Sequence, residues 1–307
     1  MMQTVAAIDL GSHTARLLIA RKSDLSTPFI TLARERAYIR IAEDFDRHGE
    51  RVIKPGAFAR TLKVMHGFSR RTAGFNVRQV HAVATGVVRD AVNRDQFLNH
   101  IYDHTGIIVR PISGEREGLL GTKGVLHALN IGEGLFLIFD LGGGTTEFCL
   151  GARGRTEVKS IPLGAVVLSK EHIKTDPPEE AEIRALFSHI GECLKDVDLD
   201  VSTEHIIVGT GGTVTTLAAV IHRLPSDEIA PERVNGLILT LPQLKACFEA
   251  MRHLSLEQRI RRYGMDPERA DVILAGSIVV MSILRFLGVY ELAVSMSDIL
   301  EGILTEC

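Results

Sequence analysis

Apolar residues run unbroken from Val5 to Ile8, break at Asp9, and resume from Ala15 to Ala20 with only Arg16 interrupting them. Short, nearly continuous apolar runs of this kind predict buried strands, here over 5–10 and 15–20, with a third over about 28–34. The period then changes. Phe58, Leu62, Met65 and Phe68 recur near 3.6 residues and predict a helix from Pro55 to Arg71. From there strand and helix patterns alternate: "VHAVAT", a strand; "DQFLNHIYDHTG", a helix closed by Gly106; "IIVRPIS", a strand; and "EREGLLGTKGVLHAL", a helix.

The second half repeats the order. Strands are predicted near 135–140, 146–150 and 156–161, then helices opened by Pro177 and Pro178, the strand "HIIVG" and the helix "TVTTLAAVIHRL". After inserted helices the chain closes on "ELAVSMS" and "DILEGIL". Three leading strands followed by alternating helices and strands, twice over, imply an α/β chain of two mixed sheets covered by helices. The expected domains are 1–124 and 125–307, with the last helix, about 298–307, packing back on the first.

Residues repeat as well as patterns. "AAIDLGSHTARLLIA" is matched by "FLIFDLGGGTTEFCLG", "ISGEREGLL" by "MSDILEGIL", and "VATG" by "VGTG". Two such lobes facing each other would set equivalent loops around one cleft.

The bulk composition narrows the function. At 307 residues and 45% hydrophobic the chain can bury two ordinary cores. A net charge of −3 offers no basic field for duplex nucleic acid or an anionic membrane. The four cysteines are scattered without a C-x-x-C pair, which suits reduced thiols and a cytoplasmic setting. The longest apolar stretch, "VILAGSIVVMSIL", is too short to span a bilayer and reads as a buried helix.

Three loops have the composition of phosphate cradles. Glycines between apolar strands let backbone N–H groups approach an anion, and neighbouring hydroxyls add donors. The first loop offers Gly11, Ser12, His13 and Thr14; the second Gly142, Gly143, Gly144, Thr145 and Thr146. In the third, Gly211, Gly212 and Thr213 open a helix, whose N-terminus favours phosphate. Beside these loops stand acids that no hairpin needs, Asp9, Asp140 and Glu147. An acid next to phosphate donors makes sense when Mg²⁺ bridges the two. Arg16, embedded in an apolar strand, requires an anionic or acceptor partner. There is no G-x-x-x-x-G-K-[ST] loop, and G-x-G-x-x-G fails at Val214, so P-loop and dinucleotide folds are disfavoured.

These motifs, in this order and nearly end to end, resemble the exopolyphosphatase/guanosine pentaphosphate phosphohydrolase (Ppx/GppA) family of the actin, sugar kinase and heat-shock chaperone superfamily. The resemblance rests on "AAIDLGSHTARLLIA", "ATGVVRDAVNRDQFL", "ISGEREGLLG", "FDLGGGTTEF", "SIPLGAVVLSKEH", "VGTGGT", "ERADVILAGSIVV" and "VSMSDILEGIL". It implies two duplicated actin-like (ribonuclease H-like) domains, each a mixed five-stranded sheet flanked by helices, with a cleft between them. It also implies release of the terminal phosphate from inorganic polyphosphate or pppGpp with Mg²⁺, Mn²⁺ being the alternative. The implied roles are Glu117 as base on the attacking water, Asp140 assisting metal and water positioning, Glu147 as a further catalytic residue, and Asp9, Asp140 and Glu117 at the metal; Arg89 and Arg16 are expected on phosphate.

The chain departs from the family pattern at His13-Thr14, where Asn-Ser is usual, at Gly86 for Ser, and at Gly118 for Ala. The missing hydroxyl at 86 removes one expected contact. Longer members continue into a helical C-terminal region, so a long polyphosphate channel built with that region is not expected here. Two other readings compete with hydrolysis: an ATP-dependent kinase of the same superfamily, and a non-catalytic sensor of polyphosphate or of guanosine penta- or tetraphosphate. A homodimer is the default assembly on frequency alone.

Overall fold

In β1 (Gln3–Leu10) every side chain from Val5 to Leu10 is buried, the burial of a strand at the centre of a sheet covered on both faces. The computed structural model describes residues 2–22, 29–45, 49–132, 134–152, 155–225 and 228–306. Contacts divide the chain into two units, Met1–Gly124 with Ile299–Cys307, and Val125–Asp298.

In the first unit β1 pairs antiparallel with β2 (Thr14–Lys22), which pairs with β3 (Ile30–Tyr38). After α1 (Pro55–Gly74), β4 (Gln79–Ala84) lies parallel to β1. The short α2 (Gly86–Asp90) and α3 (Arg94–Thr105) then lead to β5 (Val109–Pro111) and α4 (Gly114–Leu129), so that the sheet order is β3-β2-β1-β4-β5. Pro55 opens α1 at a position where its missing N–H is not needed, and Gly106 closes α3 in the left-handed region at φ 71°. The α1 stripe that is buried runs Ala57, Thr61, Met65, Phe68 and Thr72: Met65 and Phe68 lie in it as read from the sequence, while Phe58 and Leu62 stand at its edge, half-buried. Against the sheet packs the closing helix Ile299–Thr305, whose Ile299, Leu300, Ile303 and Leu304 share a core with Val5, Ala7, Leu18 and Leu120.

His81 on β4 stands near Arg110 of β5 and Lys22 of β2. Burial first, then those two cations, lowers its pKa from the ordinary 6.5. A lowered folded value means the unfolded chain takes the proton more readily, so this contribution is present above 6.5 and is lost as pH falls below it. The thermal midpoint should therefore drop between about pH 7.5 and about pH 5.5, and the drop should shrink in His81→Asn. Equal drops in the two proteins would show that His81 contributes nothing.

The second unit repeats the plan. β6 (Phe136–Leu141), β7 (Thr146–Ala152) and β8 (Arg155–Ile161) form an antiparallel meander, followed by α5 (Ala165–His172) and α6 (Glu180–Lys195). β9 (Ile206–Thr210) lies parallel to β6 and runs into α7 (Gly212–Ile221). α8 (Pro231–Val234), β10 (Ile238–Thr240), α9 (Leu241–Arg252), α10 (Leu256–Tyr263), α11 (Pro267–Ala270) and α12 (Ile273–Phe286) precede β11 (Glu291–Val294). The order β10-β11-β9-β6-β7-β8 matches the first sheet strand for strand, with β10 added at one edge. This sixth strand corrects the five expected. Three residues long and antiparallel to β11, it is too short to leave a period in the sequence. α12 is the stretch read as a buried helix: all its residues from Ile273 to Met281 are buried. Among the described residues no helix is long and apolar enough to cross a membrane.

Other boundaries moved for local reasons. β5 keeps three residues of "IIVRPIS", ending at Pro111, which has no N–H for a further ladder bond. β11 stops at Val294, after which the Ser295 N–H still donates to Gly209 O but the chain turns. β3 extends to Tyr38, beyond the predicted 34, and residue 28 of that prediction lies outside the described residues.

Candidate active site

The turn after β1 and the turn after β6 are built alike. Gly11 N–H donates to Thr14 O and Gly142 N–H to Thr145 O, each at 3.0 Å. A Cβ on either glycine would come within 3.2 Å and 3.1 Å of those same carbonyls, so the tightness of both turns depends on glycine.

What differs is the charge that the strands bring to the turns. In the first unit the register aligns Arg36, Arg16, Asp9 and Val83 across β3, β2, β1 and β4. Asp9 is only 4% exposed; its Oδ2 accepts from Arg16 Nε at 3.1 Å and Nη2 at 2.7 Å, and its Oδ1 from Thr85 Oγ1 at 3.1 Å. The embedded arginine thus finds its anion one strand away. In the second unit the corresponding row is Ser160, Glu147, Asp140 and Thr210 across β8, β7, β6 and β9.

Asp140 and Glu147 stand directly opposite each other. Facing Cβ atoms in such a pair lie about 5 Å apart, and two like charges there are unfavourable without a counter-charge. Glu147 is 2% exposed and accepts from Ser160 Oγ at 2.7 Å. Next to Asp140 in the row, Thr210 Oγ1 is fully buried and lacks a hydrogen-bond partner among the described residues. Two hard carboxylates on one sheet face with an unpartnered oxygen beside them are donors suited to Mg²⁺ or Mn²⁺. Asp9, expected at the metal together with Asp140 and Glu117, accepts from Arg16 and Thr85.

Glu117 lies in the first turn of α4, where Ser113 Oγ accepts from Arg116 N–H at 3.1 Å and Ser113 O from Glu117 N–H at 2.9 Å. Its Oε2 accepts from Arg89 Nη1 at 3.0 Å, both side chains being largely buried. Arg89 is steadied in turn by Asp90 Oδ1, 3.2 Å from its Nε, and by Arg94, which donates to its carbonyl at 2.9 Å. The residue expected on phosphate and the residue expected as base are therefore partners.

In the second unit the carbonyls of Gly142 and Gly143 accept from the first N–H groups of α5, Ala165 and Val166, at 3.0 Å each. The Gly143 N–H has no partner among the described residues and remains a donor for an anion. At the start of α7, Gly211 adopts φ 98°, and a Cβ there would lie 2.4 Å from Leu141 O and 2.9 Å from Asp140 Oδ1. A Cβ on Gly212 would fall 2.1 Å from Cζ of Arg269, so this guanidinium from α11 rests on the glycine backbone. Arg269 is the cation that motif spacing missed: it lies 57 residues beyond Gly212 (269 − 212) and reaches the loop only through the fold.

A family model described as the Ppx/GppA phosphatase family matches residues 18–307. The chain belongs to that family. It is 32% identical over 321 residues to exopolyphosphatase 2 of Mycobacterium tuberculosis, the match covering 97% of each protein. It is 28% identical to a bifunctional 3-dehydroquinate synthase/phosphatase of Fusobacterium nucleatum, covering 98% of this chain and 46% of that longer protein. The crystal structure of an Aquifex aeolicus Ppx/GppA family member superposes with a TM-score of 0.83 at 31% identity, covering all of this chain and 97% of that one.

Several residues expected to bind phosphate also make contacts within the protein. Thr146 is fully buried and its hydroxyl donates to Leu163 O. The Thr213 side chain, 2% exposed, lies where a Cβ on Gly276 of α12 would be, 2.5 Å away. His13 is buried edge-on to Tyr38, with Nδ1 3.9 Å from Glu43. Arg16 is engaged by Asp9. Ser12 Oγ accepts from Val87 N–H at 3.0 Å and sits 2.2 Å from where a Cβ on Gly86 would be. The Ser12 hydroxyl thus occupies the space that a Ppx/GppA serine at 86 would enter.

Proposed function

We propose that this chain hydrolyses the terminal phosphoanhydride of inorganic polyphosphate, with pppGpp as a second substrate of the same chemistry, and that Glu117 takes the proton of the attacking water. The Arg89–Glu117 pair carries this reading. A carboxylate fixed at 3.0 Å by a guanidinium, in the first turn of a capped helix, is held in one orientation without being sequestered in the core. Positioning of that kind is what a hydrolytic base requires, since the phosphoryl group itself needs little covalent help from the protein.

The opposite charges of the two strand rows support a division of labour. Two arginines and one acid suit a phosphate chain in the first unit, while two acids suit a cation in the second. Bound Mg²⁺ would neutralise charge developing on the transferred phosphoryl group. Asp140 and Glu147 would hold it, and the backbone N–H of Gly143 would donate to a phosphate oxygen. The names of the similar exopolyphosphatases favour polyphosphate as the first substrate to test.

The deciding assay measures phosphate released from short polyphosphate, long polyphosphate and pppGpp with Mg²⁺, beside Glu117→Gln. Release that collapses in the variant establishes the hydrolase and ranks its substrates. No release from any of the three, with binding retained, would identify a sensor instead. Chelation of divalent ions should abolish release, and Mg²⁺ should restore it; Asp140→Asn and Glu147→Gln should each raise the Mg²⁺ concentration needed by about tenfold or more. An unchanged Mg²⁺ requirement in both variants would remove the acid pair from the metal.

A further inference from the structure

The closing helix Ile299–Thr305 meets α4 at two specific places besides the apolar core that it shares with Leu120. Gly302 meets α4 so closely that a Cβ on it would lie 1.8 Å from Leu120 O. One residue beyond the helix end, Glu306 bridges Arg116 and Lys123, which are seven positions apart on α4 (123 − 116). The far side of the closing helix is tied to the sheet: Glu301, 3% exposed, pairs with Arg34 of β3, and Lys22 Nζ donates to Leu304 O at 2.7 Å. The helix is thus braced on β1, β2 and β3 and meets α4 at Leu120, through a close backbone approach and the shared apolar core, and at one bifurcated ion pair. One of the two cations it holds, Arg116, is the residue before Glu117.

We infer that the closing helix is the positioning element for the Glu117 base, Gly302 setting the depth of α4 and Glu306 its lateral position. Burial alone would raise the Glu306 carboxyl, but hydrogen bonds and charge from Lys123 and Arg116 outweigh it and hold the group below its ordinary value. It therefore stays ionised, and the bridge intact, across the neutral range. Glu306 and Gly302 touch no reacting atom; they act through α4. A displacement of about 1 Å at a catalytic group can lower turnover about a hundredfold, whereas an exposed ion pair contributes little to global stability. The two effects are separable.

This inference rests on Glu117 being the base, and the test separates the two. Turnover of polyphosphate would be compared in the native chain, Glu306→Gln, Gly302→Ala, Glu117→Gln and the Glu117→Gln/Glu306→Gln double variant. Glu306→Gln should lower kcat about three- to tenfold and Gly302→Ala about a hundredfold, each with KM unchanged. Because the effect runs through Glu117, the double variant should be no slower than Glu117→Gln alone.

Full kcat in Glu306→Gln and in a folded Gly302→Ala, with Glu117→Gln inactive, overturns the positioning role and leaves the base. Losses that multiply in the double variant overturn it too. Full activity in Glu117→Gln overturns both. Should Gly302→Ala fail to fold, Glu306→Gln and the double variant decide.

Discussion

Glu117→Gln is expected to lower phosphate release about 10²- to 10⁴-fold, the range that general-base help contributes, with little change in the thermal midpoint. The glutamine carbonyl can still accept from Arg89 Nη1, which in the native chain lies 3.0 Å from Glu117 Oε2, so the α2 contact survives while the proton acceptor is lost. Binding of polyphosphate should persist, because the substitution leaves the Arg89 guanidinium in place and does not touch the Gly143 N–H proposed to donate to a phosphate oxygen. A KM that rises with kcat unchanged would move Glu117 from the chemistry to substrate binding. Turnover retained within a factor of about three would remove it from the mechanism. The informative companion is Arg89→Lys, which keeps the charge and loses the fork. It should depress kcat less than Glu117→Gln, because a lysine can still approach the carboxylate but no longer orients it through a planar group.

Gly86→Ser carries the second large effect, and its direction separates two views of this chain. Family resemblance alone makes serine the natural residue at 86 and suggests that restoring it should help. The structure argues the reverse. Gly86 adopts φ 54°, where a side chain is strained, and its Cβ would fall 2.2 Å from Ser12 Oγ. The left-handed backbone costs about 1–2 kcal/mol for a non-glycine residue. Displacing Ser12 breaks its acceptance of the Val87 N–H, worth about 1 kcal/mol more. Melting should show a loss of roughly 2–3 kcal/mol from these terms together, accompanied by weaker phosphate release. Gly86→Ser that melts like the native chain and turns over faster would show that the Ser12–Val87 contact is dispensable and that the serine hydroxyl was missing.

Much of the architecture was legible in the chain because two periods suffice to reveal it. Buried central strands need apolar residues at nearly every position, as in Val5–Leu10 and Phe136–Leu141, and packed helices need them every third or fourth, as in α12. The duplicated strand order followed from the repeated sequence of such runs. β10 did not, because three residues at an edge leave no period. The glycine turns were equally readable, since their geometry is local: Gly11 and Gly142 donate to carbonyls three residues on.

Register and long-range partners were not readable. Asp9 and Asp140 occupy matching places in the two repeats, and the sequence alone gave no ground for treating them differently. They differ because the strand opposite one supplies Arg16 and the strand opposite the other supplies Glu147. That is a property of pairing across a hairpin, which motif composition does not express. The same holds for the hydroxyls of Thr146 and Thr213, whose surroundings are set by Leu163 in the loop between β8 and α5 and by Gly276 of α12. It holds as well for Arg269 on Gly212 and Glu306 on Arg116, side chains brought to their partners from 57 and 190 positions away (269 − 212; 306 − 116). The sequence by itself determined the fold class, the duplication and the position of the glycine loops, because strands, helices and tight turns are specified by neighbours along the chain. Which acid faces a cation, which hydroxyl faces a carbonyl and which helix braces Glu117 were decided only by the tertiary structure, because those energies arise between groups that share no local stretch of backbone.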